Sequence, residues 1–151
     1  MIARLRDTLQ NAVARAFGRI MWPSTAVAAV VVEDNKILLV NFKGQFCFPG
    51  GIAKSDESLE KTLAREVREE TGLEVEVGEM LFLDSEMKYP RAMMVYRCKV
   101  VGGELATSWE GRPSFVELEK LPDKMRENHR EVLLEIFDKH SEVPEFQDVR
   151  L

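Results

Sequence analysis

The chain has 151 residues, 31% charged and 45% hydrophobic, with a formal net charge of −5 at pH 7. That length suits one domain able to bury roughly 70% of its unfolded surface, and the acidic balance argues against a nucleic-acid-binding protein, which carries a basic patch. Two cysteines, Cys47 and Cys98, make no disulfide framework, and no apolar run approaches the roughly 20 residues of a membrane-spanning helix, so the expectation is a cytoplasmic protein with buried free thiols.

In chain order, Ile2, Leu5, Leu9, Val13, Phe17 and Ile20 fall close to one helical stripe, with Arg4, Arg6, Arg15 and Arg19 opposite. This predicts an N-terminal amphipathic helix over residues 1–22, closed by Trp22-Pro23 because the residue before proline disfavours the helical region. The interspersed arginines leave no signal-peptide core. An apolar stripe needs cover. Packing on its own domain or across the two-fold axis of a homodimer supplies it, and contact with a membrane surface and a frayed arm are the alternatives. A single domain follows over residues 23–140, then an acidic tail over 141–151.

From Thr25 the pattern becomes that of strands. Residues 26–32 and 36–42 flank a turn at Glu33-Asp34-Asn35, predicting a hairpin with buried strands. The paired glycines of Phe46-Cys47-Phe48-Pro49-Gly50-Gly51 suit a tight turn near a ligand. Next comes a helix capped by Ser58 or Asp56, with inner stripe Leu59, Leu63 and Val67 and a stop at Gly72. Residues 74–87 alternate as one or two strands, 91–101 as another, and 114–117 as a last one. The stripe Val132, Leu133, Ile136 and Phe137 marks a C-terminal helix over 129–140. Helices and strands in this order indicate an α+β architecture.

The predicted helix over residues 59–71 carries the densest chemistry. Glu66, Glu69 and Glu70 stand at i, i+3 and i+4, on one helical face within reach of a common point, and Glu57 approaches from the preceding loop. Like charges so close destabilise an unliganded helix, and Mg²⁺ or Mn²⁺ removes that penalty. The whole segment reads G-x5-E-x7-R-E-U-x-E-E-x-G-U from Gly51 to Leu73, with U a bulky aliphatic residue. Chance gives its seven fixed identities on the order of 10⁻⁸ per starting position.

This segment resembles, without departure, the signature box of the Nudix hydrolases. The resemblance implies an α/β/α sandwich around a mixed sheet and a metal-dependent hydrolase of a pyrophosphate linkage. It also implies that the Gly51 carbonyl and Glu57, Glu66, Glu69 and Glu70 bind the metal, with Glu66 and Glu70 the most direct ligands. Arg65, one turn before Glu69, orients carboxylates. The general base comes from the box, as Glu69 or Glu70, or from downstream, as Glu104 or Glu110. Glu110 sits in the Gly/Pro-containing loop Thr107 to Pro113, a setting from which a residue can reach over a substrate.

Phe46, Phe48, Tyr89 and Trp109 are candidates to stack on a base, and Lys54 is a candidate phosphate contact. Gly50-Gly51 and Pro90 resemble ADP-ribose-type enzymes, whereas Tyr89 resembles diadenosine-polyphosphate-type enzymes. The expected substrate is a nucleoside diphosphate linked to another moiety, most plausibly ADP-ribose or a similar nucleotide sugar. Rival readings are a MutT-type nucleoside triphosphate pyrophosphohydrolase and a non-catalytic nucleotide sensor.

Overall fold

Strand β1 (Ser24–Glu33) is apolar without a break from Ala26 to Val32, as a strand buried on both faces must be. The computed structural model describes residues 24–84 and 91–140, so the helix expected over 1–22, Tyr89 and the tail 141–151 lie outside the described residues. Asp34 and Asn35, at φ 48° and 60°, form the two-residue turn into β2 (Lys36–Phe42), a left-handed pair that such short polar side chains tolerate. The expected hairpin holds at this turn. Its strands then part: β1 pairs with β2 only through Val32↔Ile37 and Glu33↔Lys36.

Beyond that point β1 runs parallel to β6 (Arg91–Gly103) from Ser24↔Arg91 to Val31↔Cys98. Strand β2 continues antiparallel to β7 (Arg112–Glu117) and to β3 (Gln45–Cys47). Short β4 (Gly50–Ile52) lies antiparallel on β1, and β5 (Leu73–Asp84) pairs with β6 across three register shifts. The sheet is therefore mixed. Of residues 74–87, expected as one or two strands, 74–84 lie in the single strand β5, and 85–87 lie outside the described residues.

Alternation along β1 divides its side chains between two cores. Val27, Ala29 and Val31 pack with Leu63 and Val67 of helix α1 (Leu59–Thr71), while Ala26, Ala28 and Val30 pack with Val132, Leu133 and Ile136 of helix α2 (Glu127–His140). Each fully buried aliphatic side chain here contributes about 1.5–3 kcal/mol by leaving water. The result is the sandwich of helix, sheet and helix that the sequence led one to expect. Helix α1 is fixed at both ends. Ser58 Oγ accepts from the Lys61 N–H at 3.2 Å, and Gly72, left-handed at φ 77°, donates to the Arg68 carbonyl at 3.0 Å.

Candidate active site

Glu66 and Glu70 are one turn apart on α1, facing β4, and a turn before β7 adds a third carboxylate. Ser108 and Gly111 exchange backbone hydrogen bonds at 3.1 and 3.3 Å, and the Glu110 N–H donates to Ser108 Oγ at 3.1 Å. This tight turn brings Glu110 to α1, so that oxygens of Glu66, Glu70 and Glu110 all lie within 4.8 Å of one another. Three partly buried carboxylates so close repel strongly unless a cation or a proton joins them. The donor set, all oxygen, suits a hard divalent cation such as Mg²⁺ or Mn²⁺.

Glu70 registers that crowding. Burial first, then the charges of Glu110 and Glu66, push its pKa up to about 7 against the opposing hydrogen bond from Gly50 N at 2.9 Å and the charge of Arg126. Gly51 touches Glu66 directly: a β-carbon there would lie 2.5 Å from Glu66 Cδ. β4 can therefore lie against the carboxylate only with glycine at this position.

Arg65 gathers the other glutamates. Its Nε meets Glu57 Oε1 and Oε2 at 3.1 and 3.2 Å, and its Nη2 meets Glu57 Oε2 at 3.1 Å. Nη1 reaches Glu66 Oε1 at 2.8 Å and Glu69 Oε2 at 3.2 Å. One planar fork thus holds three carboxylates together. The bonds from Arg65, and secondarily one from Thr62 Oγ1 at 3.0 Å, hold the Glu57 pKa below the usual carboxylate value despite some desolvation. Glu69, 53% exposed, lies outside the group formed by Glu66, Glu70 and Glu110, the place there being taken by Glu110.

These carboxylates border a cleft of about 710 Å³ whose lining also includes Phe42, Phe48, Trp109, Arg126, Asn128 and His129. Trp109 stands 88% exposed at its edge. The aromatic candidates separate here. Phe48 lines the cleft but is buried, stacked on the His129 ring with centroids 4.9 Å apart, and its N–H donates to His129 Nδ1 at 2.9 Å. Phe46 packs against the core on the α2 side and does not line the cleft, nor does the exposed Lys54. Arg126, Asn128 and His129 were not legible as site residues. They lie at and just before the start of α2, more than 50 residues beyond the box, and His129 reads in sequence as the first position of an apolar stripe.

The chain matches the NUDIX domain family over residues 22–136. It is similar to the ADP-ribose pyrophosphatase of Methanocaldococcus jannaschii, at 35% identity over 121 residues that cover 74% of this chain and 71% of that protein. A MutT-like protein of Streptomyces ambofaciens is 36% identical over 119 residues, 76% of this chain and 77% of that one. Among solved structures, an ADP-ribose pyrophosphatase from Streptococcus suis superposes with a TM-score of 0.65 at 28% identity, covering 75% of this chain and 90% of its own.

Proposed function

This chain belongs to the NUDIX family, as a nucleotide pyrophosphohydrolase, and on that premise we propose that it cleaves the diphosphate linkage of ADP-ribose or a similar nucleotide sugar with the help of Mg²⁺ or Mn²⁺. The observation that carries the metal dependence is the meeting of Glu66, Glu70 and Glu110 within 4.8 Å. Those three carboxylates would hold the cation, with the Gly51 carbonyl and Glu57 as its neighbours. When bound, it supplies charge neutralisation on phosphate oxygens and a water of lowered pKa.

The protein's own groups do the rest. Arg65 fixes the carboxylate orientations, so little reorganisation is needed as charge develops. Glu69 has Oε2 engaged by Arg65 and, among the described residues, Oε1 without a partner. We assign Glu69 as the acceptor of the attacking water's proton, with Glu110, which lines the cleft, as the alternative base. Trp109 and the half-exposed Phe42 offer ring faces at the cleft for a nucleobase. Phe48 supports the cleft wall through His129.

The choice of a nucleotide sugar draws on the two relatives that carry the name ADP-ribose pyrophosphatase. The second reading, a MutT-type nucleoside triphosphate pyrophosphohydrolase, draws on the relative named MutT-like, at 36% identity. A panel of nucleotide sugars, dinucleotides and (deoxy)nucleoside triphosphates, assayed with Mg²⁺ and with Mn²⁺, separates them. ADP-ribose turned over well ahead of the triphosphates is the expected result; the reverse order would move the assignment to the MutT type.

A further inference from the structure

The α2 side of the cleft is lined by groups unlike the carboxylates. Phe46 N donates to the Lys124 carbonyl at 2.9 Å and Arg126 N to the Phe46 carbonyl at 2.8 Å, so residues 124–126 add as an extended segment beside β3. Met125 turns into the core, and Arg126, next along, takes the opposite side and lines the cleft. The Arg126 carbonyl then accepts from the N–H groups of His129 and Arg130, both at 3.0 Å, so α2 springs from this residue. The positive end of a 14-residue helix therefore opens beside Arg126. Arg126 is the sole cation among the described residues lining the cleft; among them no carboxylate forms an ion pair with it, although its charge is felt at Glu70.

His129 adds an independent observation. It is 5% exposed, its Nδ1 is taken by the Phe48 N–H, and its remaining proton therefore sits on Nε2. No acceptor among the described residues meets that Nε2–H, and the residue lines the cleft. Burial, reinforced by Arg126, drives its pKa down to about 3, so the ring stays a neutral donor in any ordinary buffer. Between the two in sequence, Asn128 keeps its Oδ1 buried and, among the described residues, without a hydrogen-bond partner.

We propose that Arg126, the Nε2–H of His129 and the first turn of α2 form an anion subsite that holds a phosphate group of the substrate on the α2 side of the cleft. The proposal rests on the reading of the cleft as a nucleotide site. It gives the diphosphate two holders: the carboxylate-bound cation for one set of oxygens and Arg126 with His129 for another.

The test is calorimetric titration of the full chain with inorganic pyrophosphate in Mg²⁺, comparing wild type, Arg126→Gln and His129→Asn, the last keeping an acceptor for the Phe48 N–H. Arg126→Gln should weaken binding about tenfold or more, and His129→Asn by several-fold, with the hydrolysis defect appearing mainly in KM. Circular dichroism of Arg126→Gln, whose side chain is exposed, checks that the fold is kept. Wild-type affinity in folded Arg126→Gln, or no pyrophosphate binding by the wild type, overturns the subsite. If pyrophosphate binding falls in the variants while no nucleotide of the panel is hydrolysed, the assigned reaction fails and the subsite stands. Hydrolysis with wild-type KM in both variants sinks the subsite and leaves the reaction intact.

Discussion

A β-carbon on Gly51 would lie 2.5 Å from Glu66 Cδ and 2.8 Å from each of its carboxylate oxygens. β4 and α1 thus approach so closely that the strand can lie against the carboxylate only where a side chain is missing. Gly51→Ala must therefore displace Glu66, β4 or both. The expected outcome is a loss of about 100-fold in kcat, the size that a misplacement of about 1 Å in a reacting site produces, with stability down by roughly 1–3 kcal/mol from overpacking. Steady-state kinetics and thermal unfolding check both numbers together. Full activity in this variant would mean that the contact has no bearing on catalysis.

Glu70→Gln should abolish turnover, yet stabilise the metal-free protein above neutral pH. In the folded state the Glu70 pKa is about 7 against 4.5 for the free side chain. A raised carboxyl contributes stability that is present below pH 4.5 and lost as the pH rises through 7, up to about 3 kcal/mol at one unit per 1.4 kcal/mol. The amide oxygen can still accept from Gly50 N while the repulsive charge is gone. Chemical denaturation at pH 8 in chelator should show the variant ahead of wild type, and added Mg²⁺ should restore the wild type alone.

His129 works with the opposite sign. Its folded pKa of about 3 lies below the ordinary 6.5. Its contribution is therefore complete above pH 6.5 and drains away as the pH falls toward 3, up to about 5 kcal/mol. Replacing it with Asn costs packing at neutral pH but removes this slope. Between pH 6.5 and 4 the wild type should lose stability faster than His129→Asn in parallel denaturation series; equal slopes would mean that the ring is protonated at little cost.

Arg65→Lys should preserve the fold and lower kcat by roughly tenfold or more. A lysine ammonium cannot reproduce the fork that meets Glu57, Glu66 and Glu69 together. Kinetics in saturating Mn²⁺, with the unfolding temperature measured alongside, separate lost orientation from lost stability.

The box helix was legible almost residue by residue. Its stripe of Leu63 and Val67 and its stop at Gly72 follow from local rules, and its cap, narrowed by them to Ser58 or Asp56, is Ser58; local rules suffice where neighbours in sequence are neighbours in space. Glu110 was legible as a candidate but not as a member of the carboxylate group, since its place depends on the Ser108–Gly111 turn docking 40 residues beyond Glu70. The division of β1 and β2 after Val32↔Ile37 was hidden too, because two buried apolar strands beside a turn look alike in a closed hairpin and a divergent one. Arg126 and His129 had no sequence signal at all, because charged residues at a helix start are ordinary and only the fold turns this one toward the cleft.

The assigned chemistry depends above all on which glutamates hold the cation. Mn²⁺ binding followed by electron paramagnetic resonance, in wild type, Glu110→Gln and Glu69→Gln, addresses that directly. With Glu66, Glu70 and Glu110 as the group, Glu110→Gln should weaken Mn²⁺ at least tenfold, while Glu69→Gln, lying outside it, should change affinity less than threefold and act on kcat. Wild-type Mn²⁺ affinity in Glu110→Gln, with the loss appearing in Glu69→Gln instead, would contradict it.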